Sequence, residues 1–513
     1  MLKRMGAGFW LVAIIAVIIV FCNLGGIPLL DPDEPVYAET PKEMLQFNDF
    51  ISPRIYGEFW YDKPPMYYWL VALAFKVFGI NEFAARFPSA LLSVVCVLVV
   101  YQAGCRLFNR RAGMISALVL VTCIEYIYLS KAAVTDITLT LFLTTALLAF
   151  IKRRYYLFYI CAGLATVTKG PIGLLFPGGI IFFYLLLTKN FSLIRQMKLP
   201  AGIVLYAVFA LPWYVAMVQL HGQAFIDTFL GFHNVTRFTS PEHPQLAVWY
   251  YFIPVLIIGF FPWTPLLFQA VWSSLTKSRE KYKTLLFLNI WVILIFLFFS
   301  ISSTKLVSYI LPLFPPLALI TGWYIDHLWD NYRNRKRYYS WALLTLSFTV
   351  LLLAGTVFGI REMPELASGL MALGGVLALL LTGAAYCLFK RQAALAIGIK
   401  TAAMIAFAII LVNVIFPAAA PGYTSIHIAR DFRLHYDGTS PVYIAKFLRP
   451  GFSFYTDIYG TAVTAGNITA AVNQSGRAYF VLSQAEYKLL SSYERQKLMT
   501  LAISADKLLL LRQ

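Results

Sequence analysis

Thirteen apolar runs, separated by short polar segments, constrain this chain more than any other feature. They lie at about 9–30, 86–107, 112–130, 136–151, 155–169, 171–187, 200–220, 248–272, 284–301, 306–327, 338–360, 367–389 and 394–416. An apolar helix of ~20 residues crosses a bilayer because it satisfies its own backbone hydrogen bonds in a medium without water. Of the 513 residues, 60% are hydrophobic and only 13% charged, which excludes an ordinary soluble enzyme. The reading is a polytopic α-helical membrane protein. The first run, Phe9 to Leu30, follows a short Lys3-Arg4 flank as a signal peptide would. Its length and the absence of a small-residue cleavage site make it a retained anchor.

The formal net charge of +18 would suggest a nucleic-acid partner in a soluble protein. Here the basic residues fall between the apolar runs, as cytoplasmic Lys and Arg do when they orient a membrane protein. No nucleic acid is implied. The clusters are Arg106/Arg110/Arg111, Lys152-Arg153-Arg154, Lys189/Arg195/Lys198, Lys277/Arg279/Lys281/Lys283, Arg333/Arg335/Lys336/Arg337 and Lys390-Arg391. They share the cytoplasmic face only if the run "PPMYYWLVALAFKVFGI", residues 64–80, does not cross. That run is short for a span and carries Lys76, so it is assigned as re-entrant or interfacial. The expectation is therefore a transmembrane domain over 1–416, with residues 31–85 as its first external loop bearing juxtamembrane helices. An external domain over 417–513 follows.

The tail differs in character. From Pro421 onward, β-rich runs ("PVYIAKF", "AYFVLS", "DKLLLLR") alternate with the charged stretch "QAEYKLLSSYERQKLMTLA", which predicts a small α/β domain with one helical segment. It is either a passive cap or part of an acceptor site. All six cysteines lie within apolar segments and without metal-ligand spacing, so no disulfide framework is implied.

Against this background the stretch "LLDPDEPVYAETPKEML", residues 29–45, stands out, because it packs five carboxylates just past the first apolar run. On the same external side fall "KAAVTD" (131–136), "HGQAFIDTFLGFHNVTRFTSPEHPQ" (221–245), "SSTKLVSY" (302–309) and Lys169 in "VTKGPIG". Any one of these is what a solvated loop also looks like. Several ionisable groups gathered at one membrane face point instead to a functional cavity.

The motifs "DPDEPVYAETPKEM", "YDKPPMYYW", "AARFPSAL", "SKAAVTDITL", "TKGPIG", "GFFPWTP" and "KLVSYILPLFPPLAL" occur in that order. In this the chain resembles the bacterial aminoarabinose transferases and the related protein mannosyltransferase-like enzymes, membrane-embedded glycosyltransferases of the GT-C class. The resemblance covers about residues 30–325. It implies transfer of a sugar from a polyprenyl phosphate to an envelope acceptor, lipid A or another lipid or glycan, at the periplasmic face of a bacterial inner membrane, by a monomeric enzyme.

Displacing a sugar from a lipid phosphate needs a base or charge stabiliser for the incoming oxygen and positive charge for the departing phosphate. Asp33 matches the first acid of the family's Asp-Glu motif and is the candidate for the first task. Glu34 assists it or orients the acceptor, and Asp136 is a second acid or simply a helix N-terminal charge. Lys63, in "YDKPP", is the candidate for the phosphate, supported by Arg86, Lys169, Lys305 and Tyr309. Asp62, His233 and His243 offer oxygen and nitrogen donors for a divalent ion such as Zn, Mg or Mn, although the two His are ten residues apart and match no strong ligand motif. Two alternatives remain at this level: a protein O-mannosyltransferase and a flippase for polyprenyl-linked sugars. No inverted repeat is visible, and the charges gather on one face, which argues against a transport path.

Overall fold

The computed structural model describes residues 6–240, 245, 247–276, 282–331 and 333–512. His243 and the basic residues Lys277, Arg279 and Lys281 lie outside the described residues. The chain is mostly helical and opens with α1 (Ala7–Phe21), α2 (Asp33–Gln46), α3 (Met66–Phe78), α4 (Glu82–Leu107), α5 (Arg110–Val121), α6 (Ile124–Ser130), α7 (Asp136–Ile151), α8 (Tyr155–Lys169) and α9 (Ile172–Thr188). Further long apolar helices cover Leu199–Phe225, Tyr282–Ile301, Phe314–Asp330, Arg335–Glu362, Ala367–Phe389 and Ala393–Ile410.

Among the described residues, seven helical segments are long and apolar enough to cross a membrane, and nine if each of two bent pairs counts as one span. The bent pairs are α5 with α6, at 66°, and Phe252–Gly259 with Thr264–Thr276, at 107°. The thirteen expected crossings thus also include α1, α7, α8 and α9, helices of 15 to 17 residues. The helix α1 stops at Phe21, well short of the expected Leu30. The helix α3 over the run 64–80 has 13 residues and is about 20 Å long. Where helices meet lipid, apolar side chains stay exposed: Leu343, Val350, Leu351 and Phe358 along Arg335–Glu362 are examples.

The chain divides into two compact units, not at a single break after residue 416. The first comprises Met1–Cys22, Tyr61–Tyr67 and Pro88–Leu411, and the second Asn23–Trp60, Tyr68–Phe87 and Val412–Gln513. The first is the helical bundle. One of its well-enclosed helices is Phe314–Asp330, where Leu317, Leu319, Ile320, Tyr324 and Ile325 are all buried.

The second unit is built on a five-stranded sheet: β3 (Val442–Ala445), β4 (Thr461–Val463), β5 (Ala478–Ser483), β6 (Leu498–Ser504) and β7 (Lys507–Arg512), in the order β4-β3-β5-β7-β6. A two-stranded hairpin, β1 (Arg54–Ile55) with β2 (Glu58–Phe59), lies in the first loop. In the five-stranded sheet β3 runs parallel to β4 and β5, and β7 antiparallel to β5 and β6. The strands alternate two apolar faces, each with its own core. Tyr479, Val481, Leu509 and Leu511 pack with Ile428, Phe432 and Phe452. On the opposite face Phe480, Leu482, Leu508 and Leu510 pack with Ile468 and Val472. The single helical segment expected over 484–502 is instead two short helices, Gln484–Leu489 and Ser492–Gln496, followed by β6. Ser483 with Glu486 and Ser491 with Glu494 each form a capping box, which restarts the helix where Ser491 interrupts it.

The tail of this unit is tied to its first-loop residues by polar contacts. The Lys42 ammonium lies 2.7 Å from an Asp457 carboxylate oxygen and donates to the Phe454 carbonyl at 2.9 Å. The Tyr455 hydroxyl donates to Glu82 at 3.0 Å and accepts from the Leu29 N–H at 2.8 Å. Arg449 stacks over the Tyr56 ring at 3.8 Å. Ser425 donates to Asp31, whose carboxyl burial drives up to about 7.

Candidate functional site

A small cavity in the helical bundle is lined by Asp62, Lys63, Lys169, His233, Tyr309, Ser302 and Thr304, with an aromatic wall of Phe229, Phe238, Phe298 and Phe299. Its volume is about 110 Å³. Each charged group arrives there for a local reason. Helix α8 ends at Lys169 because Gly170 takes φ +80° and ψ −152°, a conformation only glycine adopts readily, and Pro171 then leads into α9. Asp136 sits in the first turn of α7, where helix N-termini favour acids, and accepts from the Lys169 ammonium at 2.6 Å. The same ammonium lies 4.9 Å from the centre of the Tyr309 ring.

Asp62 and Lys63 precede Pro64-Pro65, which stiffen the chain as it enters α3. The Lys63 ammonium donates to Asp62 Oδ1 at 2.8 Å, and His233 Nδ1 lies 2.6 Å from the same oxygen. His233 reaches it from a π-helical segment, Ile226–Thr236, that continues the helix Leu199–Phe225 beyond a kink at Gly222. Phe229, four residues earlier on that segment, stacks on Phe225 at 5.3 Å. The polar rim comes from the loop after Tyr282–Ile301: the Ser303 N–H donates to the Phe238 carbonyl at 2.9 Å and the Thr304 hydroxyl to the Ser240 carbonyl at 3.2 Å.

Lys63, Lys169, Asp136, Tyr309, Asp62 and His233 therefore belong to one neighbourhood in the bundle. Lys305, expected to hold phosphate, is a correction. Its three donors go to the carbonyls of Phe299 at 3.3 Å, Ser300 at 2.9 Å and Ser302 at 2.8 Å, so it caps the helix Tyr282–Ile301, and burial lowers its pKa.

Arg86 and Glu34 are a second correction. Both belong to the other unit. Arg86 Nε and Nη2 grip the two Glu34 oxygens at 2.8 and 2.6 Å, and the remaining guanidinium donors reach the carbonyls of Leu24, Ile27 and Pro28. With Arg86 1% and Glu34 5% exposed, this is a saturated ion pair with no donor left for a phosphate and no carboxylate edge open for catalysis. Asp33, one residue before Glu34, is exposed in the first turn of α2. Ser302, Thr304 and the phenylalanines were missed as individual lining residues. The first two lie in "SSTKLVSY", while the aromatic run "FLFF" gave no signal beyond hydropathy.

The donor chemistry of Asp62 with His233, one oxygen and one nitrogen, suits a divalent ion. Among the described residues, however, no third His, Cys, Asp or Glu completes a set.

Residues 62–215 match the family described as dolichyl-phosphate-mannose-protein mannosyltransferase. A protein of Aquifex aeolicus is 32% identical over 348 residues, covering 66% of this chain and 68% of that protein. The undecaprenyl phosphate-alpha-4-amino-4-deoxy-L-arabinose arabinosyl transferase of Pectobacterium carotovorum is 32% identical over 376 residues, 69% of this chain and 66% of its own. The crystal structure of ArnT from Cupriavidus metallidurans bound to undecaprenyl phosphate superposes with a TM-score of 0.83 at 22% identity, covering 99% of this chain and 98% of that one. The chain belongs to the membrane-embedded GT-C glycosyltransferases. For this glycosyltransferase the transporter alternative falls away. The fold extends to a more distant enzyme, the Archaeoglobus fulgidus oligosaccharyltransferase, at a TM-score of 0.54 and 12% identity.

Proposed function

We propose that this glycosyltransferase takes a hexosyl or pentosyl unit from a polyprenyl phosphate and passes it to lipid A or another envelope lipid at the periplasmic face of the bacterial inner membrane. The convergence of Lys63 and Lys169 on one aromatic-walled cavity carries the reading. The activity of the Pectobacterium relative and the ligand of the Cupriavidus structure support it. At about 110 Å³ the cavity is below the ~300–1,000 Å³ of a pocket for a whole small ligand. It suits a phosphate, with sugar and prenyl chain extending away from it.

In the transfer, the bond between the anomeric carbon and the donor phosphate oxygen breaks, and a bond from that carbon to the acceptor oxygen forms. Charge accumulates on the departing phosphate, and two ammonium groups held in place beforehand stabilise it where it develops. Asp136 positions the Lys169 ammonium at 2.6 Å, and Asp62 positions the Lys63 ammonium through its carboxylate at 2.8 Å and its carbonyl at 3.4 Å. Asp33 is assigned to the acceptor: it orients the attacking group and stabilises charge there, and for a phosphate acceptor no proton needs to be removed. A divalent ion would take Asp62 and His233 as two of its ligands, polarise phosphate oxygens, and draw its other ligands from substrate and water. The proposed steps run without it.

The test is Lys63→Ala in a reconstituted transfer assay with donor binding measured separately. Losing charge-assisted hydrogen bonds should weaken donor binding by about tenfold to a hundredfold. Lys76→Ala, which removes a lysine lying over the Phe50 ring on α3, should change little. Wild-type donor affinity in Lys63→Ala would remove the cavity from the phosphate assignment.

A further inference from the structure

A second and larger cavity in the bundle, about 850 Å³, is formed where the start of α1, the end of α4 and the start of α5 meet. Helix polarity places it at the membrane face opposite the Lys63 cavity, because α5 begins at this end and α7 begins with Asp136 at the other. Its walls are Phe9 and Met114, with Tyr101 and Gln102 as polar groups and Arg106, Arg110 and Arg111 as charges. No acid lines it.

The sequence builds this corner. Gly104 and Gly113 allow α4 and α5 to touch, since a Cβ on Gly104 would lie 2.6 Å from the Gly113 Cα. Asn109 caps α5 by accepting from the Ala112 N–H and also donates to Asp326 at 2.6 Å. The tight turn brings Arg106 and Arg110 to the same rim. Arg111 is neutralised by Asp326 and Asp330. Among the described residues no ion pair engages Arg106 or Arg110, and both are exposed. The surrounding field is positive as well: burial, Arg106 and Arg154 together lower Lys152 to about 8.

We propose that this cavity binds the phosphodiester headgroup of an anionic phospholipid, with Arg106 and Arg110 on the phosphate, Gln102 and Tyr101 on its polar substituent, and the start of the acyl chains against Phe9 and Met114. Basic pockets between transmembrane helices recognise lipids of this class, and the volume lies within the range of a dedicated ligand site. Orientation of the chain needs only basic residues near the surface; a cavity with apolar walls and two uncompensated arginines goes beyond that need.

The test uses the full chain in neutral detergent, titrated with phosphatidylglycerol, phosphatidylcholine or inorganic phosphate and read by native mass spectrometry. Wild type should retain phosphatidylglycerol in preference to phosphatidylcholine. R106Q/R110Q should weaken that preference about twenty-fivefold, since each basic group near an anionic headgroup is worth about fivefold. R106K/R110K should keep most of it, which separates charge from misfolding. K189Q/R195Q, on another basic loop, should leave it intact. An unchanged preference in R106Q/R110Q overturns the proposal, as does an equal loss in K189Q/R195Q, which would mean generic surface charge. Inorganic phosphate competing as well as the lipid would overturn a lipid occupant.

Discussion

Two carboxylate–cation pairs, one in each unit, show how the same charges serve different ends. Glu34 and Arg86 form a bidentate pair whose remaining donors are absorbed by three backbone carbonyls. Asp136 and Lys169 meet through one contact of 2.6 Å, and the ammonium lies at a cavity wall beside Tyr309. The first pair is saturated and holds the loop into α2 against α4. Among the described residues, the Lys169 ammonium of the second makes one hydrogen bond, to Asp136, and lines the cavity. The number of partners, more than burial, separates the two pairs, since the Asp136 and Lys169 side chains are only 8% and 12% exposed.

Breaking the saturated pair should have the largest effect. Arg86→Ala leaves Glu34 buried without its counter-charge and should cost about 3–5 kcal/mol of stability, whereas replacing both residues by Met should recover most of it. Thermal unfolding of the purified protein measures this, and a wild-type midpoint for Arg86→Ala would show the pair to be dispensable. Next comes the exposed neighbour of the pair. Asp33→Asn keeps shape and hydrogen-bonding capacity but removes charge, so turnover should fall about a hundredfold with stability and donor binding preserved. Asp49→Asn, a loop acid that holds the N–H groups of Ile51 and Ser52, is the control for mere solubility. Normal single-turnover rates in Asp33→Asn would take that acid out of the mechanism.

A smaller effect is expected at the second pair. Lys169→Met should weaken donor binding about tenfold while changing stability by less than about 1 kcal/mol, the reverse of the pattern at Arg86. A large stability loss without a binding change would erase the contrast between the two pairs.

The smallest effect concerns pH. Asp31 in the folded chain titrates near 7, above the ~3.9 of an unfolded Asp, so between about pH 4 and 7 the folded state holds more protons than the unfolded one. Stability therefore falls as pH rises through that window and levels off above it. Asp31→Asn removes this share, so its melting temperature relative to wild type should climb by a few degrees from pH 5 to pH 8. A difference that stays flat over that range would mean that Asp31 is charged throughout.

The sequence by itself determined the membrane class, the positions of most of the long apolar helices, the basic residues between them, and the strands "VYIA", "AYFVLS" and "KLLLLR". Hydropathy and periodicity are local properties, and a bilayer or a sheet reads them locally. Only the tertiary structure decided what each charge does. Arg86 finds Glu34 across 52 residues, and His233 lies against Asp62 from a π-helical segment far along the chain. Lys305 turns back onto carbonyls within six residues, a capping choice that its motif alone leaves open. The extent of the second unit was hidden for the same reason, because Asp31 meets Ser425 across 394 residues. A side chain's partner depends on which groups folding brings within about 3 Å and removes from water, and no local pattern encodes that distance.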